Sequence, residues 1–111
     1  MADSIKNTES VDVVKRIPFG QGEALVFRSR TTMAFAAANA IASKMRQVAS
    51  VKPTFRMIFA AAPSQSEVLN ALTAIPNLPW EQVIAFHMDD YLGLPTAAPQ
   101  RFANWLDDHL F

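Results

Sequence analysis

Two adjacent carboxylates, Asp89 and Asp90, end an apolar run in the stretch AFHMDDYLGLP at residues 85–95. A carboxylate in such a position can take a proton from carbon, hold part of a divalent cation, or simply lead the chain into water. Side chains alternate along an extended chain, so the two acids are expected to point to different places. One can face a crevice while the other braces the loop or caps a neighbouring element. His87 lies one alternation before Asp89. The full set of ligands that a metal needs is not visible around them, and no metal or other cofactor is expected. Spacing alone leaves catalysis and a solvated turn both open.

A second stretch with chemical potential is AAAPSQS at 60–66. If a helix starts there, its unpaired N–H groups and partial positive charge suit a phosphate, with Ser64 adding a hydroxyl. Gln65 is placed to reach a sugar hydroxyl. A plain helix cap explains the same residues, since Glu67 follows Ser64 at capping-box spacing. The glycines of a nucleotide-binding loop are missing. His109, Asp107 and Asp108 fit a solvated helix face, and Tyr91, Trp80 and Trp105 fit packing.

The elements that must hold these residues can be read from periodicity. TFRMIFAA (54–61) and QVIAFHM (82–88) are mostly continuous apolar runs, as expected of strands buried on both faces. EALVFRS (23–29) also suits a strand, whereas VDVVKRIPFGQG (11–22) is open between strand and helix before its Gly20/Gly22 pair. TMAFAAANAIASKMRQV (32–48) is alanine-rich and helical, with Ser29 or Thr31 as its cap and Phe35, Ala38, Ile41, Ala42 and Met45 on one face. Ser64 or Ser66 caps a helix carrying Val68, Leu69 and Leu72. QRFANWLDDHLF (100–111) closes the chain as a helix. Strand and helix alternating three times predicts an α/β domain: an open parallel sheet with flanking helices, a Rossmann-like three-layer sandwich over residues 11–111. Residues 1–10 read as a mobile tail. Three strands make a small sheet, so an incomplete domain is expected, with either further chain or another copy covering the open edge.

Composition narrows the classes. Ten basic and ten acidic side chains balance, which argues against a nucleic-acid or lipid surface as partner. Half of the 111 residues are hydrophobic, enough for a core, and there is no cysteine for disulfides or thiolate chemistry. No stretch approaches the ~20 apolar residues of a membrane span, and the start of the chain lacks the apolar centre of a signal peptide. A cytoplasmic location is the expectation.

The order of these pieces resembles the N-terminal half of the glucosamine-6-phosphate deaminase/isomerase family, related to the 6-phosphogluconolactonases. The likeness is most specific in VIAFHMDDYLGLP (83–95), followed by Pro99 and QRFANWLDDHLF. That family carries a Met-Asp-acid-Tyr segment before a Gly-Leu turn. The likeness continues backwards through FRMIFAAAPSQSEVLNAL to about Glu23. It implies aldose–ketose isomerisation and deamination of an amino-sugar phosphate by a homo-oligomer that needs no cofactor. Asp89 would be the general base, Asp90 the neighbouring acid, and Ser64 a phosphate-contacting hydroxyl. A lactonase-like hydrolase and a non-catalytic sugar-phosphate-binding module are the alternatives. Two departures stand out. Ala60-Ala61-Ala62-Pro63 replaces a glycine-rich turn, and the family's later histidine motif and basic phosphate ligands have no counterpart. These 111 residues by themselves therefore resemble about half an active site.

Overall fold

The structure is a computed structural model that describes residues 13–111. The expected tail at 1–10 lies outside the described residues. Two β-strands come first, β1 (Val13–Phe19) and β2 (Gly22–Phe27), followed by helix α1 (Arg30–Ala49) and strand β3 (Phe55–Phe59). A short 3-10 turn at Pro63–Gln65 leads into helix α2 (Ser66–Ala74). A second such turn, Trp80–Gln82, precedes strand β4 (Val83–His87), and helix α3 (Phe102–His109) closes the order. Strand β3 pairs with β4 in parallel, with Phe55 opposite Val83 and Phe59 opposite His87. The protein is therefore of mixed α/β class.

The expected open parallel sheet is not what the described residues build. They form two sheets of two strands each, β1-β2 and β3-β4. The strand foreseen at EALVF turns back on β1 as an antiparallel hairpin instead of joining β3. The cause is local. Gly20 has a φ of 58°, open to glycine at no steric cost, so Gly20 and Gln21 close a two-residue turn with Phe19 paired to Gly22. That is the quickest contact available to either strand. Arg16 and Glu23 reinforce it diagonally with a 2.6 Å ion pair. Pro18 sits inside β1, where it is tolerated because a two-stranded ribbon consists only of edges.

Helix α1 starts two residues earlier than its pattern suggested, and Ser29 rather than Thr31 caps it. The Ser29 hydroxyl accepts from the Thr32 N–H at 3.2 Å, and the Ser29 N–H donates back to the Thr32 hydroxyl at 3.3 Å. This is a reciprocal capping box with threonine in the place of the usual acid. Its alanine content has a clear use. Ala38, Ala42 and Met45 are buried against Leu72, Leu78 and the inner residues of β3. Ala36, on another side of the helix, lines a crevice with Leu25 and Phe27 of the hairpin. Small side chains let one helix approach both sheets. Phe35, expected on the buried face, is half exposed because that face is narrower than the pattern implied.

The core continues beneath the β3-β4 pair. Phe59, Leu69 and Leu106 bury one another, with Trp80 and Trp105 around them, and this joins α2 and α3 to the carboxyl end of β3. Only one face of the pair is covered. Phe55, Met57 and Phe59 point to the helices, while Ile58 is 71% exposed and Ile84, Phe86 and Met88 are also open. The expectation of strands buried on both faces is thus met on one face only among the described residues. No helix among them is long and apolar enough to cross a membrane.

Candidate functional site

The parallel pair fixes where the two chemical stretches lie. Ligands of parallel α/β sheets bind beyond the carboxyl ends of the strands. The β3 end opens into Ala60–Gln65, and the β4 end into Met88–Arg101. The Met88 N–H donates to the Phe59 carbonyl at 3.0 Å, carrying the pairing one step past β4. Both loops therefore leave the same rim of the sheet. A cavity of about 410 Å³ lies there, with Gln65 and Met88 among its lining and Phe59, Val68 and Leu69 as apolar walls. Asp89 and Ser64 are exposed residues next in sequence to Met88 and Gln65, and neither lines this cavity.

The two acids have different surroundings, although the extended geometry on which alternation depends ends at His87 and Asp89 has a positive φ. Asp90 is committed to the scaffold. Its carboxylate accepts from the Tyr91 N–H at 2.8 Å, the Phe102 N–H at 2.9 Å and the Ala103 N–H at 3.3 Å. Arg101, at the cap position of α3, makes no side-chain cap of its own. Asp90 takes that role from twelve residues away, satisfying first-turn N–H groups and setting a negative charge at the helix start. The Phe102 N–H holds the Asp90 carboxyl below its ordinary value of 3.8, against the opposing effect of burial, with help from the Tyr91 and Ala103 N–H groups and from Arg101. The Arg101 Nε lies 3.7 Å from the carboxylate.

Asp89 is the free acid. Its backbone φ is 20°, outside the regions that L-residues ordinarily occupy. This kink lets the chain turn off the strand between Met88 and Asp90. Among the described residues its carboxylate has no hydrogen bond or ion pair. His87 turns aside, its Nδ1 lying 2.9 Å from the Met88 carbonyl. No cluster of three or more potential metal ligands occurs among the described residues.

Ser64 and Gln65 sit differently from the expected cap. Pro63, with its φ fixed, starts a 3-10 turn, and this places Ser64 inside the turn rather than ahead of a helix. Neither Ser64 nor Ser66 caps α2, and its N-cap position, Gln65, makes no side-chain bond there. Glu67 is likewise not the partner in a capping box. Its carboxylate meets Arg30 at 3.0 Å, and that guanidinium holds the Glu67 carboxyl below its ordinary value. The Gln65 and Ser66 N–H groups are taken by the Ala62 and Pro63 carbonyls. The Ser64 hydroxyl has no partner among the described residues.

One contact that holds the long loop escaped the sequence reading. Asn104 donates from Nδ2 to the Thr96 carbonyl at 2.7 Å and to the Ala98 carbonyl at 2.8 Å, stapling the long loop to α3. Tyr91, expected as a packing residue, sets its ring against that of Phe102 at 5.1 Å and a 57° tilt, closing the same loop from its other end. A polar side chain in the first turn of a helix after a long loop was the available signal for Asn104. No protein-family model and no curated protein matches the chain, so the family likeness of residues 83–95 rests on those residues themselves.

Proposed function

We propose that this chain carries the base-bearing part of a sugar-phosphate isomerase/deaminase site, acting on an amino-sugar phosphate such as glucosamine 6-phosphate. The observation that carries the reading is the division of labour at 89 and 90: one carboxylate tied into α3, its neighbour free at the rim where a parallel strand pair ends. In this reading Asp90 and Arg101 are positioning residues and Asp89 is the base. The Asp89 carboxylate removes the proton from carbon 2 of the opened sugar. The C–H electrons form a carbon 1–carbon 2 double bond while the carbonyl pair moves onto oxygen 1, which takes up a proton from solvent; the amine lone pair then forms a C=N bond at carbon 2 as the proton returns at carbon 1. Water then adds to the C=N carbon, and the C–N bond breaks to release ammonia and leave a carbonyl at carbon 2. The Ser64 hydroxyl and N–H contact the phosphate, and Gln65 contacts a sugar hydroxyl from the cavity wall.

General-base catalysis is worth about 10²–10⁴-fold. In the natural polypeptide that contains this sequence, Asp89→Asn is expected to lose at least about 10²-fold in turnover of glucosamine 6-phosphate while keeping its melting temperature. Unchanged turnover would remove Asp89 from the mechanism. Opening of a phosphorylated lactone without ammonia release would favour the hydrolase of the related lactonase type. Saturable binding of the sugar phosphate without any turnover would favour a binding module.

A further inference from the structure

Asn104 stands in the first turn of α3, a place where a helix is stabilised by an acid. No acid occurs in that turn. Asn104 instead directs its side-chain amide at the loop, donating to the Thr96 carbonyl at 2.7 Å and to the Ala98 carbonyl at 2.8 Å. An aspartate there would offer no donor and a serine only one, so an amide is the short side chain that holds two carbonyls at once.

The same turn holds the start of the loop. The Phe102 and Ala103 N–H groups donate to the Asp90 carboxylate. Phe102, Ala103 and Asn104 therefore clamp one loop twice, at Asp90 and again at Thr96 and Ala98 near its middle. Clamps on a shared loop support each other, because closing one leaves a shorter loop for the other to close. Thr96 lies halfway between Asp90 and Phe102 in the sequence. The Asn104 clamp thus halves what Asp90 must close, which is worth about threefold in the closing equilibrium.

Asp89 lies between this clamp and the sheet. On one side the Met88 N–H is bound to the Phe59 carbonyl at 3.0 Å, and on the other Asp90 is bound to α3. With both neighbours fixed, Asp89 takes up the change of direction itself, at a φ of 20°. A backbone outlier of this kind persists only while its surroundings hold it.

We propose that Asn104 is a positioning residue of the candidate site, acting through Asp90. Its two hydrogen bonds keep the loop folded onto α3. The folded loop keeps the Asp90 carboxylate on the helix, and Asp90 in turn keeps Asp89 aimed from the rim. This role rests on Asp89 being the base of the proposed reaction, whereas the coupling of the two clamps does not.

The test uses Asn104→Ala in the natural polypeptide that contains this sequence. Alanine is the better helix former and leaves both carbonyls open to water, so α3 itself should persist. In amide exchange followed by NMR, the Phe102 and Ala103 N–H groups should exchange about threefold faster than in the parent. The Leu110 N–H, bonded to the Leu106 carbonyl, should keep its rate. With glucosamine 6-phosphate, kcat should fall by at least about threefold at unchanged KM. In an Asp89→Asn background the same substitution should leave the residual turnover as it is, since no base is left to aim. Unchanged exchange at Phe102 and Ala103 would overturn the coupling, and faster exchange at Leu110 as well would reduce Asn104 to a support of the helix. A kcat equal to the parent's, or an equal loss in the Asp89→Asn background, would overturn the positioning role. Faster exchange at Phe102 and Ala103 together with full turnover by Asp89→Asn would keep the clamp but refute Asp89 as the base, and this role with it.

Discussion

Removing the Leu106 side chain should loosen the candidate site from a distance. Leu106 is fully buried between Phe59 and Leu69 and is the one buried residue of α3. Leu106→Ala deletes three carbons, roughly 2.5 kcal/mol of transfer free energy at ~0.8 kcal/mol per buried carbon. The void left behind raises the cost to about 3–4 kcal/mol. Against a net stability of about 5–15 kcal/mol for a domain, that is a large fraction. A domain of this size should lose roughly 10–25 °C in melting temperature, measured by circular dichroism. Leu106→Met conserves volume and should cost less than about 1.5 kcal/mol. The loss has a second readout, because α3 supplies the Phe102 and Ala103 N–H groups that hold the Asp90 carboxylate. In Leu106→Ala, measured below its melting temperature, carbon-detected NMR should find the Asp90 titration moved up towards the ordinary value of 3.8. A melting temperature within about 3 °C of the parent would refute this account of the core. An unmoved Asp90 titration would refute its coupling to the site.

Three further outcomes follow from the same geometry. The Asp90 carboxyl is held below its ordinary value, so its contribution to stability is complete above pH 3.8 and fades as pH falls through its lower folded value. Acid titration should release α3 in that window, and Asp90→Asn should flatten this part of the profile; an unchanged acid limb would contradict the assignment. Ser29→Ala removes the hydroxyl that accepts the Thr32 N–H and should cost about 1 kcal/mol in thermal unfolding, whereas Thr31→Ala should cost little. Gly20→Val places a β-branched side chain at a φ of 58° and should destabilise the hairpin by at least about 1 kcal/mol, seen as lost protection across β1 and β2 in hydrogen exchange.

The parts of the fold that were legible in the sequence depend on local rules. Alanine content gave α1, continuous apolar runs gave β3 and β4, and the Phe102–Leu106 spacing gave α3. The separation of Asp89 from Asp90 does not come from alternation, because the chain leaves the strand after His87 and kinks at Asp89. What the sequence hid depends on competition between partners. Pro63 defeated the Ser64 capping box because a fixed φ starts the turn two residues earlier than a serine cap requires. Arg30, 37 residues away in the chain, drew Glu67 out of that box. The hairpin took β2 because closing a two-residue loop costs far less entropy than crossing over a helix. The outer residues Ile58 and Phe86 make the same point in reverse. An apolar side chain specifies the environment that suits it, not the element that supplies that environment, so their run predicted a covered face without naming its cover. The candidate site follows the same division. Two adjacent acids at the end of an apolar run can be read from residue order, but the tether on one of them, two N–H groups of α3 reaching its side chain across a long loop, exists only once the chain has folded.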